Sequence, residues 1–468
     1  MQFKGNTVEN VKPSHHSRRR GEHWCWCRGD GVPLGRRWSP LESDLAVPTR
    51  RPRKAHVSAR SAKIVSPDGT RLIATRGVRG FVDGLISVSL AVYLTLLGYS
   101  GLRIGVIVTG MLLGSAALTL LTGVYGHRFS RRTILLSGCA LMIVTGITYA
   151  WTTSFVLLLV IGVIGTMNPS SGDVSVFLPI EQSLLPSTVA NSARTAMFAR
   201  YAFVGSLCGA VGSLAAGIPE RLANATEWAT TSTLRGVFLV YSVGGCVMLA
   251  IYRTLSDAIE PPPHQQAQPL GPSRAIVYRL AAVFSLDSFG GGFVVQSLLA
   301  LWLFRRFDLS VAAAGALLFW TGVCSAFSAF VSSRIARRIG LIRTMVFTHL
   351  PAQRLLIATA FMPNLGLAIA CLIARSLLSA MDVPARNSYV MAVVSAPERA
   401  AAASVTNVPR SLASALPPIA TGWMLDHSTF GWPLILAGSL KATYDLLLLL
   451  MFRHVRPTEE ISSNGVGK

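Results

Sequence analysis

The stretch Gly123-Val124-Tyr125-Gly126-His127-Arg128-Phe129-Ser130-Arg131-Arg132 joins two apolar runs, and a degenerate copy, Ser333-Arg334-Ile335-Ala336-Arg337-Arg338-Ile339-Gly340, joins two others. Arg128, Arg131 and Arg132 match Arg334, Arg337 and Arg338 at an offset of 206. A second echo follows: Pro179-Ile180-Glu181-Gln182-Ser183 recurs as Pro384-Ala385-Arg386-Asn387-Ser388, each followed by an Arg that opens an apolar run, Arg194 and Arg399, at an offset of 205. Two spaced matches at nearly one offset predict a duplicated membrane half. In folds built that way, the site lies where the repeats meet.

Outward from these repeats the chain is one apolar run after another. Its 468 residues are 51% hydrophobic and only 14% charged, against about 25% charged in soluble proteins, which is more apolar surface than soluble cores can bury. The runs divide into twelve windows of bilayer length, near 81–99, 104–126, 133–151, 154–185, 195–217, 234–252, 276–304, 311–332, 343–363, 366–394, 400–424 and 432–452. Connections as short as Tyr99-Ser100-Gly101 make neighbouring helices antiparallel. The expected class is therefore an all-α polytopic membrane protein of twelve helices in two pseudo-symmetric halves, residues 77–253 and 276–455, joined by a linker at 254–275. A basic tail at 1–76 precedes them and a short tail at 456–468 follows.

The net charge of +22 is concentrated in the tail and in alternate loops. Residues 1–79 carry about half of the excess, and the loops holding Arg128, Arg253, Arg334, Arg343 and Arg453 carry most of the rest. That bias predicts both termini in the cytoplasm and a plasma (inner) membrane location, and no nucleic acid as partner, because groove-reading elements are missing. The tail is rich in Arg, Pro, Gly and Ser, lacks hydrophobic periodicity and is expected to stay unfolded. His23-Trp24-Cys25-Trp26-Cys27 within it has metal-binding side chains but no second spaced pair. A tail of no specific purpose, or an over-extended gene start, reads as well. No metal or other cofactor is expected.

The run Gly123-xxx-His127-Arg128-x-Ser130-Arg131-Arg132 resembles the signature loop of the major facilitator superfamily, Gly-xxx-Asp-Arg-x-Gly-Arg-Arg. The segment Asp382-Val383-Pro384-Ala385-Arg386-Asn387-Ser388-Tyr389, with Pro397-Glu398-Arg399 and Thr406-Asn407, is similar to a bacterial subgroup of poorly defined substrate. The resemblance implies a secondary transporter. His127 stands where the family has Asp, so the carboxylate latch of that loop is altered. Arg128, Arg131, Arg132, Arg337 and Arg338 are then either gating residues, with Gly123 allowing close helix approach, or charges that set topology.

Ionisable residues inside apolar windows are costly and mark pathways. Asp83, Asp173, Glu181, Asp287, Arg375, Asp382 and Arg386 fall in windows one, four, seven and ten, which the resemblance makes the cavity-lining helices. Asp83 also reads as a dipole partner at a helix start. Arg200, Arg354 and Arg410 fall in other windows and are not expected at the cavity. Window four is too long for one straight helix and breaks at Met167–Asp173, which suits backbone lining a wet site. In window seven, Asp287 precedes Gly290-Gly291-Gly292 and Gln296; the glycines read as a hinge or as close helix packing.

The expected activity is proton- or ion-coupled movement of a small molecule by alternating access, with export favoured because the cavity windows carry more carboxylate than basic charge. A non-transporting sensor on the same fold is the alternative. The expected partners are a small-molecule substrate, protons and membrane lipids, and the expected state is a monomer. The motifs of nucleotide hydrolysis, zinc proteolysis and serine hydrolysis are absent, so no enzyme is expected. Glu181 and Arg386 occupy equivalent repeat positions, which predicts an ion pair across the cavity mouth. A local pair of Arg386 with Asp382 one turn away competes with it.

Overall fold

A computed structural model describes residues 66–125, 128–170, 176–189, 194–257, 270–394 and 398–452. The described residues form α-helices joined by short turns. The first half holds α1 (Pro67–Leu96), α2 (Gly101–Tyr125), α3 (Arg131–Trp151), α4 (Phe155–Ile164), α5 (Phe177–Leu184), α6 (Arg194–Ala215), α7 (Ile218–Ala225) and α8 (Thr230–Arg253). The second holds α9 (Arg274–Gly292), α10 (Gln296–Phe307), α11 (Val311–Ile339), α12 (Leu341–Phe361), α13 (Leu365–Ser379), α14 (Asp382–Val393), α15 (Arg399–Ala415), α16 (Pro417–His427) and α17 (Trp432–Phe452). Nine helical stretches among the described residues are long and apolar enough to cross a bilayer. The pairs α4/α5, α9/α10, α13/α14 and α15/α16 each occupy one apolar window, so the element order is consistent with twelve crossings.

Local chemistry sets the ends. Ser66 caps α1 by accepting from the Gly69 amide at 3.2 Å, with Pro67 and Asp68 in the first turn, a strong helix start. The helix therefore begins inside the stretch assigned to the tail, and Asp83 lies mid-helix and buried, which rules out the dipole reading. Ser130, Ser310 and Asn364 cap α3, α11 and α13 in the same way. Gly340, with φ of 87°, turns the chain between α11 and α12.

Packing repeats between the halves. In the first, α1 packs on α6 and α8, α3 on α8 and α2 on α4; in the second, α9 packs on α15 and α17, α12 on α17 and α11 on α13. Glycines set the closest approaches: a Cβ at Gly84 of α1 would fall 1.9 Å from the Gly209 carbonyl oxygen of α6. Across the halves, α2 packs on α15 and α16, and α6 on α11. Trp302 is buried and donates to the Thr429 carbonyl at 3.1 Å. Trp320, Trp423 and Trp432 are exposed.

Candidate functional site

A cavity of about 630 Å³ lies between the halves, within the range of small-molecule sites. Leu112, Thr119, Ser170, Leu178, Pro179 and Gln182 line it from the first half. The second half supplies every charged group in the described lining: Asp287, His349, Arg375, Asp382, Arg386, Arg410 and Lys441. Among the described residues, the wall is thus uncharged on one side and densely ionic on the other.

Helix breaks and glycines build the ionic wall. Asp287 leaves α9 one turn before the helix stops at Gly292, and α10 restarts at Gln296. Gly290 and Gly291 make room for α17: a Cβ on Gly290 would meet Lys441 Cγ at 3.1 Å, and one on Gly291 would stand 3.5 Å from Lys441 Nζ. Lys441 Nζ donates to Asp287 Oδ1 at 2.7 Å, while Arg386 Nη1 donates to Oδ2 at 3.1 Å. Each carboxylate oxygen thus takes one cation, the arrangement that makes a buried charge tolerable. Arg386 Nη1 also lies 3.3 Å from Asp382, one turn back on α14.

Behind Asp287 stands a second layer. His349 of α12 meets the Asp445 carboxylate through Nδ1 at 3.0 and 3.1 Å, and its Nε2 lies 3.9 Å from Asp287. Asp445 is fully buried. An imidazole between two carboxylates can take a proton on one nitrogen and release it from the other.

The first half holds a different cluster. Glu181 of α5 is 0% exposed and accepts from Thr75 Oγ1 at 2.6 Å, Tyr252 OH at 2.7 Å and Tyr201 OH at 2.5 Å. Arg79 Nη2 lies 2.7 Å from it and also donates to Tyr201 OH at 3.0 Å. The Arg79 guanidinium sits 5.2 Å over the Phe177 ring. All these partners belong to α1, α5, α6 and α8. Asp83 is buried near Arg76 and Arg79, also outside the cavity lining.

Two carboxylates seal the end of the bundle that is poor in arginine. Asp426 of α16 caps α2 across the halves, accepting from the Gly101 and Leu102 amides at 2.6 and 2.7 Å, and pairs with Arg305 at 3.0 Å. Glu220 of α7 accepts from the Ala312 amide at the start of α11 at 2.8 Å. At the opposite end, Arg132 donates to the Leu255 carbonyl and lies 3.2 Å from Asp257, tying the signature loop to the segment after α8 in the same half. Arg128 and Arg338 are exposed and Arg131 is half-buried. Gly123 lies in the last turns of α2, and Arg337 lies in α11.

These positions sort the sequence expectations. Asp287, Gln296, Asp382 and Arg386 come together at the cavity; Glu181 and Asp83 do not. Glu181 has its two oxygens occupied within the first half, and Arg386 takes Asp287 and the local Asp382, so the expected pair between Glu181 and Arg386 is not formed. His127 and Asp173 lie outside the described residues. Arg410, placed away from the cavity by its window, lines it, because α15 packs along α9. His349, Lys441 and Asp445 went unnoticed as a site, as did Arg79. The signal was available: Lys441 and Asp445 are two charges at i and i+4 inside an apolar window.

Comparison with known proteins agrees with this architecture. Over 425 residues the chain is 27% identical to an uncharacterized membrane protein of Saccharomyces cerevisiae, YJR124C, covering 83% of this chain and 95% of that one, so the resemblance is not confined to bacterial proteins. Among solved structures, the nucleoside transporter NupG matches with a TM-score of 0.63 at 14% identity, covering 83% of this chain and 100% of that one. A D-xylose-proton symporter matches at 0.64 and 16%, covering 81% and 97%. At such identities the likeness is one of fold. The Major Facilitator Superfamily family model matches residues 72–352 and 280–468, and the chain belongs to that superfamily of membrane transporters.

Proposed function

We propose that the protein is a proton-coupled secondary transporter that moves a small molecule by alternating access, acting as a monomer in the plasma membrane with both termini in the cytoplasm. The observation that carries this reading is the placement of Asp287. It faces a cavity between the halves, holds Lys441 and Arg386, and has His349 and Asp445 stacked behind it. A proton arriving on this relay weakens the hold of Asp287 on the two cations, which couples protonation to whatever the cavity binds. With the arginine-rich loops in the cytoplasm, the Asp426 and Glu220 contacts close the outer face.

The expectation of export rested on an excess of carboxylate at the cavity. Among the described residues the wall carries Arg375, Arg386, Arg410 and Lys441 against Asp287 and Asp382, so the lining lends export no support and direction is left to a flux measurement.

The test uses purified protein in proteoliposomes. His349→Asn is expected to abolish solute accumulation driven by a proton gradient while leaving solute exchange at equal pH on both sides. Equal loss of both activities, or accumulation insensitive to the gradient, defeats the coupling reading.

A further inference from the structure

Among the described residues, the charges on the cavity wall do not balance. Asp287 and Asp382 are matched by Lys441 and Arg386, and His349 is matched by Asp445. Arg375 of α13 and Arg410 of α15 remain, and among the described residues neither makes an ion pair. Arg410 has only neutral partners, Ser288 Oγ at 3.2 Å through Nε and Asn407 Oδ1 at 3.2 Å through Nη1. Arg375 Nε is buried with no acceptor at all. Both side chains line the same cavity.

Two guanidiniums at membrane depth with no carboxylate in contact among the described residues cost several kcal/mol unless an anion joins them. Planar guanidinium donors match the oxygens of a carboxylate or phosphate. Among the described residues, the opposite wall offers Leu112, Leu178 and Pro179 with the neutral Gln182 and Thr119, a surface for an uncharged body rather than a second ionic group. The cavity of about 630 Å³ has room for such a body.

We propose that the cavity binds an organic anion, its acidic group neutralising the charge of Arg375 and Arg410 and its less polar body lying against the first half. This rests on the transport reading for its purpose, yet binding can be measured without flux. The experiment compares matched probes on detergent-purified protein by thermal shift and tryptophan fluorescence: benzoate against benzamide, 4-phenylbutyrate against its amide, phenyl phosphate against phenol, and benzylamine as the cation.

The acids are expected to bind at least about tenfold more tightly than their neutral partners or the amine, the range for losing a charge-assisted hydrogen bond. The double variant Arg375→Gln/Arg410→Gln is expected to lose that preference, and Arg375→Lys/Arg410→Lys to keep part of it, which separates lost charge from lost fold. Equal binding of neutral or cationic probes, no binding by any acid, or an anion preference that survives the double Gln variant overturns the proposal. Anion binding without flux in proteoliposomes leaves the site standing and removes the transport reading. Flux of neutral or cationic solutes without anion binding does the reverse.

Discussion

The two halves repeat one packing scheme and place opposite electrostatics on it. In the first, a base on α1, Arg79, meets an acid on α5, Glu181; in the second, an acid on α9, Asp287, meets a base on α14, Arg386. These helices are equivalent under the repeat, so the sign of each partner is exchanged. Their surroundings differ as much. Glu181 is saturated by three hydroxyls and one guanidinium and sealed from the cavity. Both clusters leave buried guanidinium nitrogens without partners, Nε and Nη1 of Arg79 in the first and Nε of Arg375 and Arg386 in the second, but Asp287 stands at a cavity wall. An enclosed ion pair has no other partner within reach; one beside a cavity can exchange partners with what enters it. On the proposed function, the first half supplies a fixed strut and the second the working site.

The largest expected effect tests the strut. Glu181→Gln strands Arg79 in a sealed core and should cost about 3–5 kcal/mol of stability, seen as a fall in melting temperature, while the flux of each folded molecule is unchanged. Restoring neither property, the exchange Glu181→Arg with Arg386→Glu should behave as two independent lesions. Normal stability with lost flux in Glu181→Gln would reverse the assignment of the two halves.

Next comes the working site. Asp287→Asn removes the carboxylate that Lys441 and Arg386 share and should lower transport about 100-fold with a smaller loss of stability than Glu181→Gln. Asp382→Asn leaves Arg386 its bond to Asp287 and should cost only about tenfold. Equal losses in initial-rate assays would make the local pair, rather than Asp287, the centre of the site.

The smallest effect concerns the outer seal. Asp426→Ala removes a helix cap across the halves, worth about 1 kcal/mol, and should shift the population toward the outward-open form about fivefold. A cysteine introduced by Gln296→Cys reports this through its labelling rate by an impermeant reagent added outside; an unchanged rate means the seal does not depend on that cap.

Much of this architecture was legible in the sequence because it is periodic. The arginine echo and the apolar windows carried the duplication, the broken fourth window followed from its length, and Asp287, Asp382 and Arg386 stood out as charges in hydrocarbon. What was missed follows from averaging. A window near 20 residues long absorbs Lys441 and Asp445 among the leucines of α17, and it starts α1 too late to admit Arg79. Glu181 was visible but its direction was not: membership of a cavity helix does not say which face of that helix a side chain occupies. Arg410 shows the converse, a cavity group on a helix that averaging and analogy had set aside.

In the seam between α2 and α16, main chain meets main chain at two points. A Cβ on Gly422 would lie 2.0 Å from the Gly101 carbonyl oxygen, and one on Gly105 would lie 2.3 Å from that of Pro418. Where glycine leaves no side-chain knob to lift out of a hole, the two backbones form a smooth bearing, and separating them there demands little rotamer rearrangement. Asp426 then works as the detent on that bearing, one carboxylate holding a position that the surfaces themselves scarcely define.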